Sequence, residues 1–246
     1  MKPYIAMLAL VLGIPIGMFG MSLVAQHTAA PVAVVAPLAI APVPTLQDVI
    51  NATVTIQVVS TKGEEWSGSG VFIDNKGTIL TAGHVLIDAE LIDIVMPDGK
   101  TYKAKNPYVT NLVDVAFCQL DADIEVPFLA IAQMPTAVGD VVRVVGSPLG
   151  LTFHGTVTQG IVSFNGRDLD GVSYMQIDAS AVPGNSGGPV VNLQGEIVGI
   201  LVAGIQMGVE MNFVVPADQV QALFNCYKCH NILKDLLCPP QPQPQN

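Results

Sequence analysis

The chain has 246 residues, half of them hydrophobic and only 12% charged, which suits one catalytic-sized domain with short extensions. Its formal net charge of −10 leaves nucleic-acid binding without electrostatic support. Aromatic residues are sparse, glycine is frequent, and short β-rich runs are separated by Gly, Asn and Asp turns, so an all-β barrel or sandwich is expected.

Residues 1–25 stand apart. After Met1-Lys2-Pro3 comes an uncharged apolar run, residues 4–25, about 22 long against the ~20 that a bilayer-spanning helix needs. Gly13, Pro15, Gly17 and Gly20 interrupt it, and membrane helices tolerate such residues. A secretory signal has a shorter apolar core, about 7–15 residues, and the small-x-small pattern near Ala25 is poor. A retained membrane anchor is therefore favoured over a cleaved signal, with Lys2 cytoplasmic and the remainder extracytoplasmic, periplasmic or extracellular. Cleavage would make the protein secreted. Residues 26–46 read as a linker, because Pro31, Pro37, Pro42 and Pro44 break both helix and central strand.

The folded part is expected over residues 47–225, with residues 52–59 as its first strand. Residues 68–74 and 78–82 form two strands joined by Asn75-Lys76-Gly77, a hairpin signal. The second strand delivers His84. Asp114-Val115-Ala116-Phe117 places an acid at the opening of an apolar strand. Alone, His84 reads as a packed or surface histidine and Asp114 as a strand-end residue. Pro216 then starts a short helix to residue 225, with Val220, Leu223 and Phe224 on roughly one face.

Pro183-Gly184-Asn185-Ser186-Gly187-Gly188-Pro189 carries the chemistry. A serine hydroxyl attacks a carbonyl only when a base removes its proton and donors await the oxyanion. Gly184 frees the backbone for a restricted turn, so that the N–H groups of Gly184 and Ser186, with Asn185 between them, can line one oxyanion hole. The bland alternative is a Gly-Asn-Ser turn. In chain order, His84, Asp114 and Ser186 reproduce the His–Asp–Ser order of one class of serine protease.

These motifs resemble the trypsin fold in its HtrA/Deg-type form. Ser67-Gly68-Ser69-Gly70, Gly146-Ser147-Pro148-Leu149-Gly150, the run from Gly155-Thr156-Val157 to Ile161-Val162-Ser163, and Asn212-Phe213-Val214-Val215-Pro216 match that family along residues 47–225. The resemblance implies two six-stranded antiparallel β-barrels, about 46–123 and 126–215, with a short C-terminal helix and the site in the cleft between them. It implies a serine endopeptidase acting by an acyl-enzyme through His84, Asp114 and Ser186, with no cofactor. Its substrates would be unfolded or flexible polypeptides, handled in extracytoplasmic quality control, and its assembly a homotrimer. The alternatives are a catalytically silent, chaperone-like peptide-binding barrel and a processing protease dedicated to one target. Asn185 stands where digestive relatives have an aspartate that receives a cleaved N-terminus, so activation by cleavage is not expected. The resemblance also implies a substrate pocket from Ser180, Ala181, Val182, Val202, Ala203, Gly204, Met211 and Asn212. Ser180 takes the place of the trypsin pocket's aspartate, so a small or medium apolar residue is expected at the cut position. Family members carry PDZ domains after the protease, and none is expected within these residues.

Residues 226–246 read as a Cys-containing, Pro/Gln-rich tail. Cys226-Tyr227-Lys228-Cys229-His230 matches the C-x-x-C-H haem-attachment pattern, though few residues follow to enclose a haem. A Cys226, Cys229, His230 and Cys238 metal set is a second reading, strained by the adjacency of Cys229 and His230. Disulfides or free thiols are favoured over both. Cys118 reads as a small buried hydrophobe, and His27 and His154 as surface or turn residues.

Overall fold

Residues 43–110, 112–206 and 210–237 are described in the computed structural model of the chain. The first element is a helix where the end of the linker and the start of the first strand are expected: α1, Leu46–Ala52. Thr45 caps it. The Asp48 N–H donates to Thr45 Oγ1 (3.2 Å) and the Thr45 N–H donates back to Asp48 Oδ2 (2.8 Å), a reciprocal capping box. Val49 and Ala52 are its buried face, so seven residues suffice.

Twelve strands come next, in two closed antiparallel barrels as expected. The first contains β1 (Thr53–Ser60), β2 (Glu65–Phe72), β3 (Thr78–Thr81), β4 (Ala89–Val95), β5 (Thr101–Val109) and β6 (Ala116–Leu120), joined in the order β1-β2-β3-β6-β5-β4. The second contains β7 (Val141–Gly146), β8 (Thr156–Leu169), β9 (Val172–Ile177), β10 (Pro189–Val191), β11 (Ile197–Gln206) and β12 (Glu210–Pro216), in the order β10-β11-β12-β9-β8-β7. Closure pairs every strand on both sides and removes exposed edges. Each barrel is filled by β-branched and aromatic side chains, among them Ile56, Phe72, Ile79 and Phe117 in the first and Val144, Ile177, Ile200 and Val214 in the second. Cys118 is fully buried among them, and burial pushes its thiol up to about 12.

Two strand registers set the geometry at the seam between the barrels. In the antiparallel pairing of β3 with β6, Thr81 faces Ala116, so the chain leaving β3 lies beside the chain entering β6. In the pairing of β1 with β2, Thr55 faces Ser69, which places two buried hydroxyls at the seam with the second barrel.

The C-terminal helix is not short. It is α3, Ala217–Leu237, and it takes in the Cys-containing segment read as a tail. Tyr227 explains the extension: it is 2% exposed and stacks on Phe117 of β6, with ring centroids 5.1 Å apart. Phe224 stacks on the same ring at 5.7 Å, and Tyr108 of β5 meets both Tyr227 and His230. The helix thus leaves β12 of the second barrel and docks on the first. Cys226 and Cys229 are exposed free thiols on it, which falls within the favoured reading of disulfides or free thiols. No group of three metal-ligating side chains occurs among the described residues. No helix among them is long and apolar enough to cross a membrane. The expected anchor at residues 4–25, His27 and Cys238 lie outside the described residues.

Candidate active site

His84 sits on α2 (Gly83–Leu86), one turn of helix directly after β3, and Asp114 lies two residues before β6. The β3–β6 register therefore brings the two together. His84 Nδ1 is 2.7 Å from Asp114 Oδ2, and the His84 backbone N–H donates to Asp114 Oδ1, also at 2.7 Å. An ionised carboxylate only accepts, so the shared proton belongs to Nδ1 and Nε2 is left as an acceptor. Burial alone would raise the Asp114 carboxyl. The His84 side-chain hydrogen bond, the electrostatic attraction of its imidazole and the backbone N–H groups of His84 and Gly83 outweigh it and hold the group below its ordinary value. A Cβ at Gly83 would stand 2.8 Å from Asp114 Oδ1, so a larger residue there would displace the carboxylate.

Ser186 arrives from the second barrel on the loop between β9 and β10, and it is partly exposed. Its carbonyl accepts the Ser69 N–H at 2.8 Å, which docks the loop on β2. Gly187, at φ +82°, has no room for a side chain: a Cβ would strike Thr81 Oγ1 and Ser69 O, at the end of the strand that delivers His84. Gly68 lies between Val85 and the Ser186 carbonyl. His84 and Asp114 thus meet at the seam on which the Ser186 loop docks. No hydrogen bond joins His84 Nε2 to Ser186 Oγ among the described residues.

The loop's N–H groups are unequal. Asn185 N–H donates to Val182 O (3.1 Å) and Gly187 N–H to Leu201 O (2.7 Å). Among the described residues, the Gly184 and Ser186 N–H groups have no such internal acceptor. The Pro183 carbonyl is turned toward Leu149 N–H (2.9 Å), which directs the Gly184 N–H of the same peptide the opposite way. Gly184, at φ +100°, makes this turn without steric cost. Of the three residues expected to line an oxyanion hole, Gly184 and Ser186 keep open donors, whereas the Asn185 N–H is committed inside the turn.

Beside Ser186 lies a cleft of about 340 Å³ lined by Ala181, Val182, Pro183, Leu201, Ala203, Gly204 and Asn212. Asn212 is buried, and its amide donates to Ala179 O at 2.7 Å, which fixes it in place. Ser180, Val202 and Met211, also expected there, do not line the cleft. Ser180 is exposed and its hydroxyl donates to Glu210 Oε1 (3.2 Å), and Val202 is buried in the barrel.

A second serine–histidine pair has no counterpart in the sequence motifs. His154 lies in the turn after a 3₁₀ segment, Leu151–Phe153, one of the two expected placements, and is half-buried. Its Nδ1 lies 3.0 Å from Thr55 Oγ1 and 3.1 Å from Ser147 Oγ, and its Nε2 is buried without a partner. Burial lowers its proton affinity, with no contribution from a charged group. Ser147 is fully buried and its hydroxyl is shared with Thr55 (2.5 Å), so it has no path to a substrate. This pair supports the wall behind the Ser186 loop.

A family model for the trypsin-like peptidase domain matches residues 68–200. Serine protease HTRA4 of Mus musculus is 34% identical over 169 residues, covering 65% of this chain and 34% of that protein. The probable periplasmic serine endoprotease DegP-like of Rhizobium meliloti is 38% identical over 160 residues, covering 61% and 31%. The chain spans about a third of the length of these curated relatives. Among solved structures, the serine endoprotease from Yersinia pestis superposes with a TM-score of 0.64 at 33% identity, covering 75% of this chain and 67% of that one. The HtrA-type protease AlgW with tripeptide gives 0.66 at 26% identity, covering 74% and 63%. With two closed six-stranded barrels, a histidine–carboxylate pair at their seam, and a domain model matching more than half its length, the chain belongs to the trypsin-like peptidase family, and its likeness there is to the HtrA/Deg-type serine proteases.

Proposed function

We propose that the chain is a serine endopeptidase in which Ser186 is the nucleophile, His84 its general base and then acid, and Asp114 the group that orients His84. The observation that carries this reading is the 2.7 Å Nδ1–Oδ2 pair, which leaves Nε2 as the acceptor at the seam where the Ser186 loop docks. Ser186 Oγ attacks the peptide carbonyl as its proton passes to Nε2. The tetrahedral oxyanion takes the open N–H groups of Gly184 and Ser186. His84 then gives the proton to the leaving amine, and water hydrolyses the acyl-enzyme by the reverse sequence. Asp114 stabilises the imidazolium throughout, and its lowered proton affinity keeps it ionised for that role.

The cleft beside Ser186 takes the side chain preceding the cut. Its walls are Ala181, Val182, Leu201 and Ala203, with no charged residue among them, so a small or medium apolar side chain fits and lysine or arginine does not. The named relatives include a periplasmic endoprotease and a protease with a bound tripeptide, which supports an extracytoplasmic enzyme acting on flexible polypeptide. Protein quality control, a homotrimer and a membrane tether through residues 4–25 complete this reading.

The test is cleavage of unfolded casein and labelling by a fluorophosphonate, parent against Ser186→Ala. Both activities are expected in the parent and neither in the variant. A folded parent that neither cuts nor labels overturns the reading.

A further inference from the structure

We infer that Ser69 is a positioning residue for the oxyanion hole, a buried hydroxyl latch through which the first barrel holds the Gly184 peptide of the second. The inference rests on the endopeptidase reading above.

Ser69 lies on β2, is fully buried, and contacts the nucleophile loop twice by hydrogen bonds. Its backbone N–H donates to Ser186 O at 2.8 Å. Its hydroxyl donates to Gly184 O at 2.7 Å. A hydroxyl has one proton and a free torsion, so that bond is directional only if something sets the rotor. Here the Ser147 N–H donates to the same Oγ at 2.9 Å, occupying a lone pair and leaving the proton for Gly184. The Ser147 main chain is fixed in turn. Its hydroxyl is shared with Thr55 and faced by His154, and its carbonyl lies 2.5 Å from where a Gly184 Cβ would stand.

The Gly184 residue therefore has three constraints. Its carbonyl is tied to Ser69, its Cα is walled by Ser147 and Leu149, and the preceding carbonyl, of Pro183, is tied to Leu149 N–H. Together they hold it at φ +100° and hold its N–H away from that wall. Without the Ser69 hydroxyl, a buried carbonyl loses its partner and the 184–185 peptide is held only from its other side, by the Asn185 N–H bond to Val182 O, so the Gly184 turn loosens. The backbone dock of Ser186 persists, because it uses the Ser69 N–H. The consequence falls on the oxyanion donor geometry and not on the cleft that binds substrate.

The experiment uses the full chain with Ser69→Ala, and Thr53→Val as a matched control. Thr53 is also fully buried, and its hydroxyl also donates to a carbonyl, Val49 O at 2.8 Å, remote from the loop. Both variants are expected to lower Tm by about 2–6 °C. Only Ser69→Ala is expected to lower kcat, about tenfold to a hundredfold with KM within about twofold, because a small misplacement at the reacting centre has that effect. Affinity for a peptidyl boronate, which forms a tetrahedral adduct on the nucleophile, falls in step with kcat. Equal Tm losses with unchanged kcat and boronate affinity overturn the inference. If Ser69→Ala does not fold, Ser69→Cys keeps the side chain's shape, slightly enlarged, with a weaker donor and is held to the same criteria. If the parent itself does not cleave, the endopeptidase reading fails separately, and the latch is read from hydrogen exchange at the Asn185 and Gly187 amides. Those amides exchange at least about tenfold faster in Ser69→Ala than in Thr53→Val if the latch exists; equal rates overturn it.

Discussion

Asp114→Asn separates orientation of the base from mere packing. Asp114 Oδ1 accepts the His84 N–H, and Oδ2 accepts from His84 Nδ1. An asparagine has one oxygen and one NH₂. The backbone N–H is a fixed donor, so the oxygen turns to it and the NH₂ faces Nδ1. Nδ1 must then be an acceptor, which places the imidazole proton on Nε2, where it cannot receive the proton of Ser186. The fold has little reason to change, because the side chain keeps its shape and its backbone bond. In triads of this kind the wrong tautomer reduces kcat about 10⁴-fold, or about 5 kcal/mol of transition-state stabilisation. The assay is kcat/KM on a fluorogenic peptide with an apolar residue before the cut, with Tm measured alongside. A loss of less than about tenfold in a variant with parental Tm would refute the assignment of Asp114 as the orienting group.

Other outcomes rest on single contacts. Gly187→Ala combines a left-handed backbone with collision against Thr81 Oγ1 and Ser69 O, so it should abolish cleavage and lower the denaturation midpoint by more than about 2 kcal/mol equivalent. Tyr227→Ala removes the ring stacked on Phe117 and is expected to cost about 3–4 kcal/mol in chemical denaturation; a loss under about 1 kcal/mol would mean that α3 beyond Phe224 is not docked. In native alkylation mapped by mass spectrometry, Cys226 and Cys229 should react while Cys118 reacts only on unfolding, because its buried thiol is pushed up to about 12. His154 is held below its ordinary 6.5 by burial, so as pH falls below that value the unfolded chain takes a proton that the folded chain refuses. Stability contributed by neutral His154 is therefore full above 6.5 and declines below it until the folded-state value is passed. A Tm series from about pH 7.5 to 5.5 should fall less steeply in His154→Asn than in the parent.

The hairpin carrying His84 is legible in the sequence because its signals are local: an apolar strand, an Asn-Lys-Gly turn with Gly77 at φ +86°, and a second strand. The serine loop is legible for the same reason, since only glycine fits at position 187 after Ser186. Thr45 and Asp48 hold an equally local capping box, yet the prolines before them mask α1 by marking the region as a linker. The length of α3 has no local signal. Residues 226–230 look like a metal or haem motif, and they are helical where Tyr227 meets Phe117, a contact between segments far apart in sequence.

The sequence by itself determined the barrel-forming runs, the three triad candidates and the glycines that let a nucleophile turn form, because each depends on residue type and on neighbours within a few positions. Only the tertiary structure decided which N–H groups of that turn remain open, which side chains line the cleft, and that Ser69, Ser147, Thr55 and His154 stand behind it. Those facts depend on barrel closure, which brings Ser69 against Gly184 across 115 positions of chain. A hydroxyl's partner is set by whatever packing places within about 3 Å of it, and nothing in the residues beside Ser69 encodes that.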